Sequence, residues 1–327
     1  MSVLEVRDLD VRFPTEDGTV HAARSVSFVL DSGEILAVVG ESGSGKSVTA
    51  MAIMGLLPPN ALVSGSVLLG GEEILGIGRH RLSRIRGRRI GMIFQDPMSS
   101  LNPVYRIGWQ LAEAVRAHNT VSRRAAQARA VELLQMVGIP EAERRVNGYP
   151  HEFSGGMRQR VMIAMAMANE PEVLIADEPT TALDVTVQAQ VLETLMRVKE
   201  TSGVSILLIT HDLGVVASMA DRVQVMYAGA VVESGTSDEI FYSPRMPYTA
   251  ALLRAMPTLV GRHGRLDQIP GAPPSLIALG AGCPFAPRCA LAAEQCRESE
   301  PLLAPTDAAT HLAACVRWPE LLDRGVQ

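Results

Sequence analysis

The sequence predicts an α/β protein whose core is a mainly parallel β-sheet. Four continuous apolar runs indicate buried strands, because both faces of a parallel sheet are covered. These runs are residues 35–39, 90–94, 173–176 and 205–210. Helical patterns follow or separate them, at residues 48–57, 110–117, 123–136 and 185–200. Alternation of buried strands with helices favours parallel connections, since each of these needs a crossover segment.

Two further β-rich pieces indicate antiparallel strands, because apolar and polar residues alternate along them. They are residues 4–13 with 25–30, and residues 222–227 with 230–233. We expect them to form a side sheet that flanks the parallel one. After about residue 235 the chain becomes rich in proline, with a helical pattern at residues 248–255. The sequence therefore divides into residues 1–235 and a Pro-rich extension, residues 236–327.

Charge and composition exclude several classes of protein. The chain has 30 Lys and Arg against 35 Asp and Glu, a net charge of -5. No global positive field is available, so a dedicated DNA or RNA binder is not expected. Charged residues interrupt the first ten positions, and Pro58 and Pro59 split the longest uncharged run, residues 47–71. We therefore predict neither an export signal nor a membrane span, and we expect a cytoplasmic protein that can dock on a membrane partner.

A glycine-rich loop follows the first buried run and precedes a helix. Its pattern is Gly-x4-Gly-Lys-Ser, formed by Gly40, Glu41, Ser42, Gly43, Ser44, Gly45, Lys46 and Ser47. In such a P-loop, backbone N–H groups and a helix N-terminus face the phosphates of a nucleotide. The lysine ammonium serves the β- and γ-phosphates, and the serine hydroxyl is a ligand for Mg²⁺. Lys46 is one of two lysines in this arginine-rich chain.

Two carboxylates end the buried run at residues 173–176. Asp177 and Glu178 follow four apolar residues directly. A nucleotide-hydrolysing P-loop protein needs a second Mg²⁺ anchor and a group that activates water. We assign the first role to Asp177 and the second, as general base, to Glu178. Solvated acids at a strand end would be the ordinary interpretation if no P-loop were present.

From about residue 4 to residue 235 the sequence resembles the ATP-binding cassette family of transporter ATPases. Ser154, Gly155 and Gly156, in the run from Phe153 to Arg160, are similar to that family's signature motif. The resemblance implies a cassette with a mainly parallel sheet, an antiparallel side sheet and a helical subdomain at about residues 97–170. It also implies that each ATP lies between the P-loop of one subunit and the signature of another. Without the resemblance, Ser154 would be interpreted as the N-cap of a helix.

The resemblance assigns four more residues. Gln95 matches the glutamine that reaches Mg²⁺ and the attacking water, and His211 matches the histidine that hydrogen-bonds the γ-phosphate. Asp184 belongs to the loop that crosses to the partner cassette, and it is also placed to cap the helix predicted at residues 185–200. Phe13 matches the aromatic that stacks on adenine, with a core position as the alternative.

All four cysteines lie in the Pro-rich extension, at Cys283, Cys289, Cys296 and Cys315. Their number suits a metal site, but zinc sites usually contain a pair two to four residues apart, which is absent. Four unrelated buried thiols are the alternative. The extension resembles that of the oligopeptide/dipeptide permease ATPases in residues 269–274, residues 283–289 and Pro247-Tyr248-Thr249, as do Ser99, Leu101, Asn102 and Pro103 earlier in the chain. For the cysteines, this resemblance implies a structural [4Fe-4S] cluster.

The resemblance implies an ATP-hydrolysing subunit of an importer for di- and oligopeptides at the cytoplasmic face of the bacterial cell membrane. Its partners would be a second, different but related cassette, two transmembrane permease subunits and an extracytoplasmic substrate-binding protein, without nucleic acid. Importers of nickel, glutathione or another small solute are alternatives. So are a soluble cassette ATPase acting on ribosomes or DNA and an iron-sensing regulator. The arginines between positions 79 and 89 are interpreted as a solvated helix face.

Overall fold

The computed structural model describes residues 1–96, 100–181, 183–256 and 269–323. Ser99, part of the resemblance to the permease ATPases, lies outside the described residues. Contacts between Cα atoms divide the chain into two compact units. Unit 1 consists of residues 1–4, 29–34 and 68–209, and unit 2 consists of residues 5–28, 35–67 and 210–327.

The strands are β1 (Ser2–Thr15), β2 (Gly18–Asp31), β3 (Ile35–Val39), β4 (Leu62–Leu69), β5 (Glu72–Glu73), β6 (Ile90–Ile93), β7 (Val173–Asp177), β8 (Ser205–Ile209), β9 (Arg222–Tyr227), β10 (Ala230–Thr236), β11 (Ala304–Pro305) and β12 (Leu312–Ala313). The helices are α1 (Lys46–Ile53), α2 (Arg79–Ile85), α3 (Ile107–Arg116), α4 (Arg123–Met136), α5 (Ala142–Arg145), α6 (Gly155–Ala166), α7 (Val185–Ser202), α8 (Leu213–Met219), α9 (Ser237–Tyr242), α10 (Pro247–Arg254), α11 (Gln295–Glu298) and α12 (Trp318–Asp323). Short 3₁₀ turns cover Pro150–Glu152 and Ala286–Arg288.

Unit 1 is built on a parallel sheet in the order β6-β7-β8. Every residue of β7 and β8 is buried, which explains why these strands read as unbroken apolar runs. Helices α2 to α7 belong to the same unit. Helix α4 begins after Ser122, whose hydroxyl accepts a hydrogen bond from the backbone of Ala125, and α7 ends at Gly203 with a φ of 70°. The predicted parallel strands and the bounds of α4 are confirmed.

Helix α3 begins three residues before the predicted helix. Backbone N–H groups of Ile107 and Gly108 donate to the carbonyl groups of Gly148 and Val146. A Cβ atom on Gly108 would lie 2.3 Å from the Val146 side chain. The close approach that glycine allows therefore places a helix start where the sequence pattern showed none.

Unit 2 contains a second set of paired strands. Strand β3 pairs with β9 in parallel, and β10, β12 and β11 then follow β9 in antiparallel order. Strand β1 lies between β2 and β4 in a separate sheet. The prediction that residues 222–227 and 230–233 join the side sheet is wrong, because they extend the sheet of β3. Their polar residues Gln224 and Glu233 are buried, at 3% and 0% exposure, and do not mark a solvent face.

The Pro-rich extension contributes to the core of unit 2. Tyr227 of β9 packs against Tyr248 and Phe285 of the extension, with ring centroids 4.5 and 5.4 Å away. Ile240 and Met246 are buried in the same cluster. Aromatic contacts of this kind carry much of the burial energy of a small core. In the described part of the chain, no helix has the length and apolar character needed to cross a membrane.

Candidate functional site

The loop between β3 and α1 has the shape of an anion cradle. Gly45 precedes the first residue of α1 with a φ of 100°, and a Cβ atom there would lie 2.3 Å from the Ala22 carbonyl oxygen. A Cβ atom on Gly40 would lie 2.2 Å from the carbonyl oxygen of Met226. Only glycine fits these two positions, since the loop passes directly over neighbouring backbone. Helix α1 begins at Lys46 and not at the predicted residue 48, because Gly45 turns the chain.

The ammonium group of Lys46 is held inside this loop. Its Nζ atom donates to the carbonyl oxygens of Gly40 and Glu41 at 2.8 and 2.9 Å, and the residue is 5% exposed. Ser47, next in the helix, is half-buried. A positive charge and the N-terminus of an eight-residue helix thus converge on one loop, the arrangement that binds phosphate.

The side chain of Glu41 in this loop is anchored by an arginine of the extension. Both oxygens of its carboxylate accept from the guanidinium of Arg288, at 2.6 and 2.9 Å. Its backbone N–H donates to the Tyr248 hydroxyl oxygen at 2.9 Å. Burial raises the pKa of Tyr248, so this phenol stays protonated at neutral pH. The sequence analysis missed Arg288 and Tyr248, although both lie in segments noted for other reasons.

In unit 1 the structure brings Gln95 and Glu178 together. The Gln95 Nε2 atom donates to Glu178 Oε2 at 2.9 Å, and the Thr181 hydroxyl donates to the same oxygen at 2.8 Å. Glu178 has a φ of 49°, which L-residues rarely adopt, so the backbone there is strained. Asp177 precedes it as the last residue of β7, and only 5% of Asp177 is exposed. The end of β7 therefore presents two carboxylates in distinct settings.

The segment similar to a signature motif opens α6. The Ser154 hydroxyl accepts from the backbone of Met157, which confirms that Ser154 caps this helix. Ser154 and Gly155 are exposed, whereas a Cβ atom on Gly156 would lie 2.3 Å from the Val187 side chain in α7. Asp184 caps α7 by accepting from the Val187 backbone at 3.0 Å, as the sequence predicted. The glycines and Asp184 thus lie at the starts of two packed helices.

His211 and Phe13 belong to unit 2, as the P-loop does. His211 is exposed and lies just before α8, which Asp212 caps by accepting from Gly214 and Val215. Phe13 is half-buried in β1. Their roles toward a nucleotide stay predictions.

All four cysteines line one small apolar cavity of about 20 Å³. Burial raises the pKa of the Cys283, Cys289 and Cys315 thiols, to about 12 for Cys315, and neighbouring thiols add to each of these shifts. The cavity brings the four thiols to one place in the extension. Within the described ranges, however, no three His, Cys, Asp or Glu side chains are close enough to hold a metal ion.

The arginines of residues 79–89 form surface ion pairs. Arg81 pairs with Glu72 at 2.8 Å, and Arg89 pairs with Glu172 at 2.6 Å. Such pairs suit the interpretation of this cluster as a solvated face.

Comparisons with known proteins agree with this geometry. Residues 23–181 match the family model described as ABC transporter, and residues 232–296 match the one for the C-terminal region of oligopeptide/dipeptide transporters. An oligopeptide transport ATP-binding protein of Bacillus subtilis is 55% identical over 302 residues, 91% of this chain and 84% of that protein. The one of Escherichia coli is 51% identical over 301 residues, 92% of this chain and 89% of that protein.

A relative from Mycobacterium tuberculosis with the same description is 55% identical over 96% of this chain. The chain spans only 52% of that relative's length. Among solved structures, a dimeric ATP-binding cassette in a post-hydrolysis state with ADP and phosphate is similar, with a TM-score of 0.64 and 27% identity. That likeness covers 72% of this chain and 98% of the other.

These matches define the fold as an ATP-binding cassette of the P-loop NTPase type. The chain belongs to the ATP-binding cassette family of transporter ATPases, and the two relatives that it matches over most of their length are described as oligopeptide transport ATP-binding proteins.

Proposed function

We propose that the chain is the ATP-hydrolysing subunit of an importer for di- and oligopeptides. The observation that carries this proposal is the cradle of residues 40–47, whose Lys46 ammonium and helix N-terminus converge on one loop. Relatives that are described as oligopeptide transport ATP-binding proteins and cover most of this chain support the choice of substrate. The matched C-terminal region of oligopeptide/dipeptide transporters supports it independently of the cassette itself.

The P-loop residues bind the phosphates of ATP. Backbone N–H groups at the start of α1 face the phosphate oxygens, and Lys46 exchanges its two carbonyl partners for the β- and γ-phosphates. Ser47, Gln95 and Asp177 supply oxygen atoms of the kind that Mg²⁺ prefers. When bound, Mg²⁺ neutralises phosphate charge and orients the triphosphate. Phe13 stacks on the adenine ring.

Glu178 acts as the general base. Its carboxylate is oriented by two donors, Gln95 and Thr181, which both bind Oε2, and this fixed carboxylate accepts a proton from water. His211 hydrogen-bonds the γ-phosphate and senses its loss. Strain at Glu178 suits a residue whose position matters more than its local stability.

Hydrolysis requires a second cassette. Ser154, Gly155 and Gly156 contact the γ-phosphate held by the partner, and Asp184 lies on the segment that crosses to it. The exposure of Ser154 and Gly155 supports this role, because groups that serve another subunit must be accessible. We propose a different but related chain as partner, together with two transmembrane permease subunits and an extracytoplasmic binding protein. The complex lies at the cytoplasmic face of the bacterial cell membrane.

The four cysteines hold a [4Fe-4S] cluster with a structural role in the extension. Their shared cavity supports this proposal, since four thiolates are the usual ligands of such a cluster. The cluster would order a segment rich in proline and poor in regular structure.

The proposal is tested by purifying the tagged chain from a detergent extract of its own host. We expect two membrane subunits and a second cassette to co-purify, and iron and acid-labile sulfide to be present. Recovery with ribosomes or nucleic acid, and without membrane subunits, would contradict the importer assignment. A complex that takes up nickel or glutathione but no peptide would contradict the substrate class alone.

A further inference from the structure

Arg288 joins the cysteine-bearing segment to the P-loop. It ends the 3₁₀ turn Ala286–Arg288, which lies between Cys283 and Cys289 in the chain. Its side chain is 6% exposed and binds the Glu41 carboxylate with two hydrogen bonds, at 2.6 and 2.9 Å. Paired parallel bonds of this type fix orientation as well as distance. The contact joins two positions 247 residues apart.

Glu41 contacts both Arg288 and the lysine of the loop, Lys46. Its carboxylate binds Arg288, its N–H group binds the Tyr248 hydroxyl, and its carbonyl oxygen accepts from Lys46 Nζ. A shift of the Arg288 guanidinium would therefore move the residue whose carbonyl oxygen holds the phosphate-binding ammonium. Only one residue, Glu41, separates Arg288 from Lys46 in this chain of contacts.

The opposite side of Arg288 is fixed by the extension. Its Nε atom donates to the Pro270 carbonyl oxygen at 2.9 Å, and its Nη1 atom donates to the Tyr227 hydroxyl at 3.3 Å. The adjoining cysteines are tied into the same segment, because the Ala286 N–H donates to the Cys283 carbonyl and the Cys289 N–H donates to the Ala286 carbonyl. The backbone on both sides of Arg288 therefore follows the geometry of the cavity that the cysteines line.

We propose that the Arg288–Glu41 pair is a positioning link through which the four-cysteine cavity sets the nucleotide affinity of the P-loop. The link rests on the proposed function, since it requires that the P-loop bind MgATP. A filled cavity holds the turn Ala286–Arg288 in place, and Arg288 then holds Glu41. With the cavity disrupted, Glu41 loses its fixed partner and MgATP binds less tightly, by about tenfold.

The test is a double-mutant cycle on the intact complex, with MgATP affinity measured by titration. The four variants are wild type, Arg288→Gln, a protein with all four cysteines changed to serine, and the combination of the last two. We expect each change to weaken MgATP binding. The combined variant should bind MgATP no more weakly than the weaker of the two, because both changes break the same link. The proposal would be overturned if the losses of MgATP affinity in the two variants multiplied when combined. Unchanged affinity in the serine variant would also overturn it.

Two further variants separate a positioning role from loss of folding. Arg245→Gln removes a buried arginine of the same extension that pairs with Asp307 and does not contact the loop, so its MgATP affinity should equal that of wild type. A protein combining Glu41→Gln with Arg288→Gln should bind MgATP no more weakly than the weaker single variant, because either change already breaks the link. If Arg245→Gln weakens binding as much as Arg288→Gln, or the losses of affinity in Glu41→Gln and Arg288→Gln multiply in the double variant, the link is refuted. Failure of the wild-type complex to bind MgATP would refute the proposed function as well.

Discussion

The amide of Gln95 and the carboxylate of Glu178 are joined by a hydrogen bond of 2.9 Å, although 83 residues separate them in the chain. The same carboxylate oxygen accepts from the Thr181 hydroxyl. A carboxylate with one oxygen held by two donors has few orientations open to it, which is what a base that must meet a single water requires.

Changing Glu178 to Gln should stop ATP hydrolysis and leave MgATP binding intact. The amide is nearly isosteric and keeps contact with Gln95 through its oxygen, but it cannot take a proton. We expect turnover by the assembled complex to fall by about 10²- to 10⁴-fold, measured as phosphate release. Glu172→Gln, an acid of the same unit that pairs with Arg89, is the control and should retain full turnover. Equal rates in both variants would remove Glu178 from the mechanism.

Changing Lys46 to Ala should weaken nucleotide binding itself. The ammonium donates to two backbone carbonyl groups of the loop at 2.8 and 2.9 Å, and its loss leaves the phosphates without that charge. Binding of MgATP should weaken by at least tenfold in a nucleotide titration, about the cost of a charged hydrogen bond. Lys199→Ala, which removes the other lysine of the chain from α7, should bind MgATP as wild type does. Undiminished binding by the Lys46 variant would contradict the cradle.

Gly155 and Gly156 should respond differently to alanine. A Cβ atom on Gly156 would lie 2.3 Å from Val187, so Gly156→Ala should destabilise the chain by about 1–3 kcal/mol through overpacking. A Cβ atom on Gly155 meets only Leu183, at 3.5 Å, so Gly155→Ala should fold normally. Thermal unfolding measures both effects. Turnover by Gly155→Ala in the assembled complex should nevertheless fall, and unchanged turnover would argue against a contact with the partner's nucleotide.

The ion pair of Arg245 and Asp307 should make stability depend on pH in acid. The hydrogen bonds from Arg245 lower the pKa of Asp307 from 3.8 to about 2. A carboxyl with a depressed pKa stabilises the fold above its unfolded pKa, and that contribution is lost as the pH falls from about 4 to about 2. Asp307→Asn should therefore be less stable than wild type at pH 7, with the difference shrinking across that range.

Denaturant unfolding at several pH values measures this difference. Asp238→Asn changes an exposed acid of α9 in the same unit and serves as control. A stability difference for Asp307→Asn that stays constant down to pH 2 would contradict the assigned ion pair.

Local patterns predicted the parallel strands because full burial leaves an unambiguous apolar run. They failed at β10, which the alternation of apolar and polar residues assigned to the side sheet and which instead extends the sheet of β3. Glu233 is fully buried, and its carboxylate hydrogen-bonds His311 at 2.8 Å, 78 residues away. Charge patterning cannot reveal a buried pair whose members lie so far apart.

In the candidate site, too, features encoded in a short stretch of sequence could be predicted, and contacts between distant residues could not. The P-loop could be read from the sequence because its chemistry lies within eight consecutive residues. The contact between Arg288 and Glu41 could not, because 247 residues separate them and no local pattern indicates that the two side chains meet. The grouping of the four cysteines around one cavity likewise depends on tertiary packing, since their spacing matches no short metal motif.

The most direct test of the central claim is the rate of ATP hydrolysis by this chain assembled with its membrane subunits in lipid vesicles. Peptide-loaded binding protein should raise the rate of phosphate release, and the Glu178→Gln variant should show no such rise. A rate that is the same with and without peptide and binding protein would contradict the assignment of the chain to peptide import.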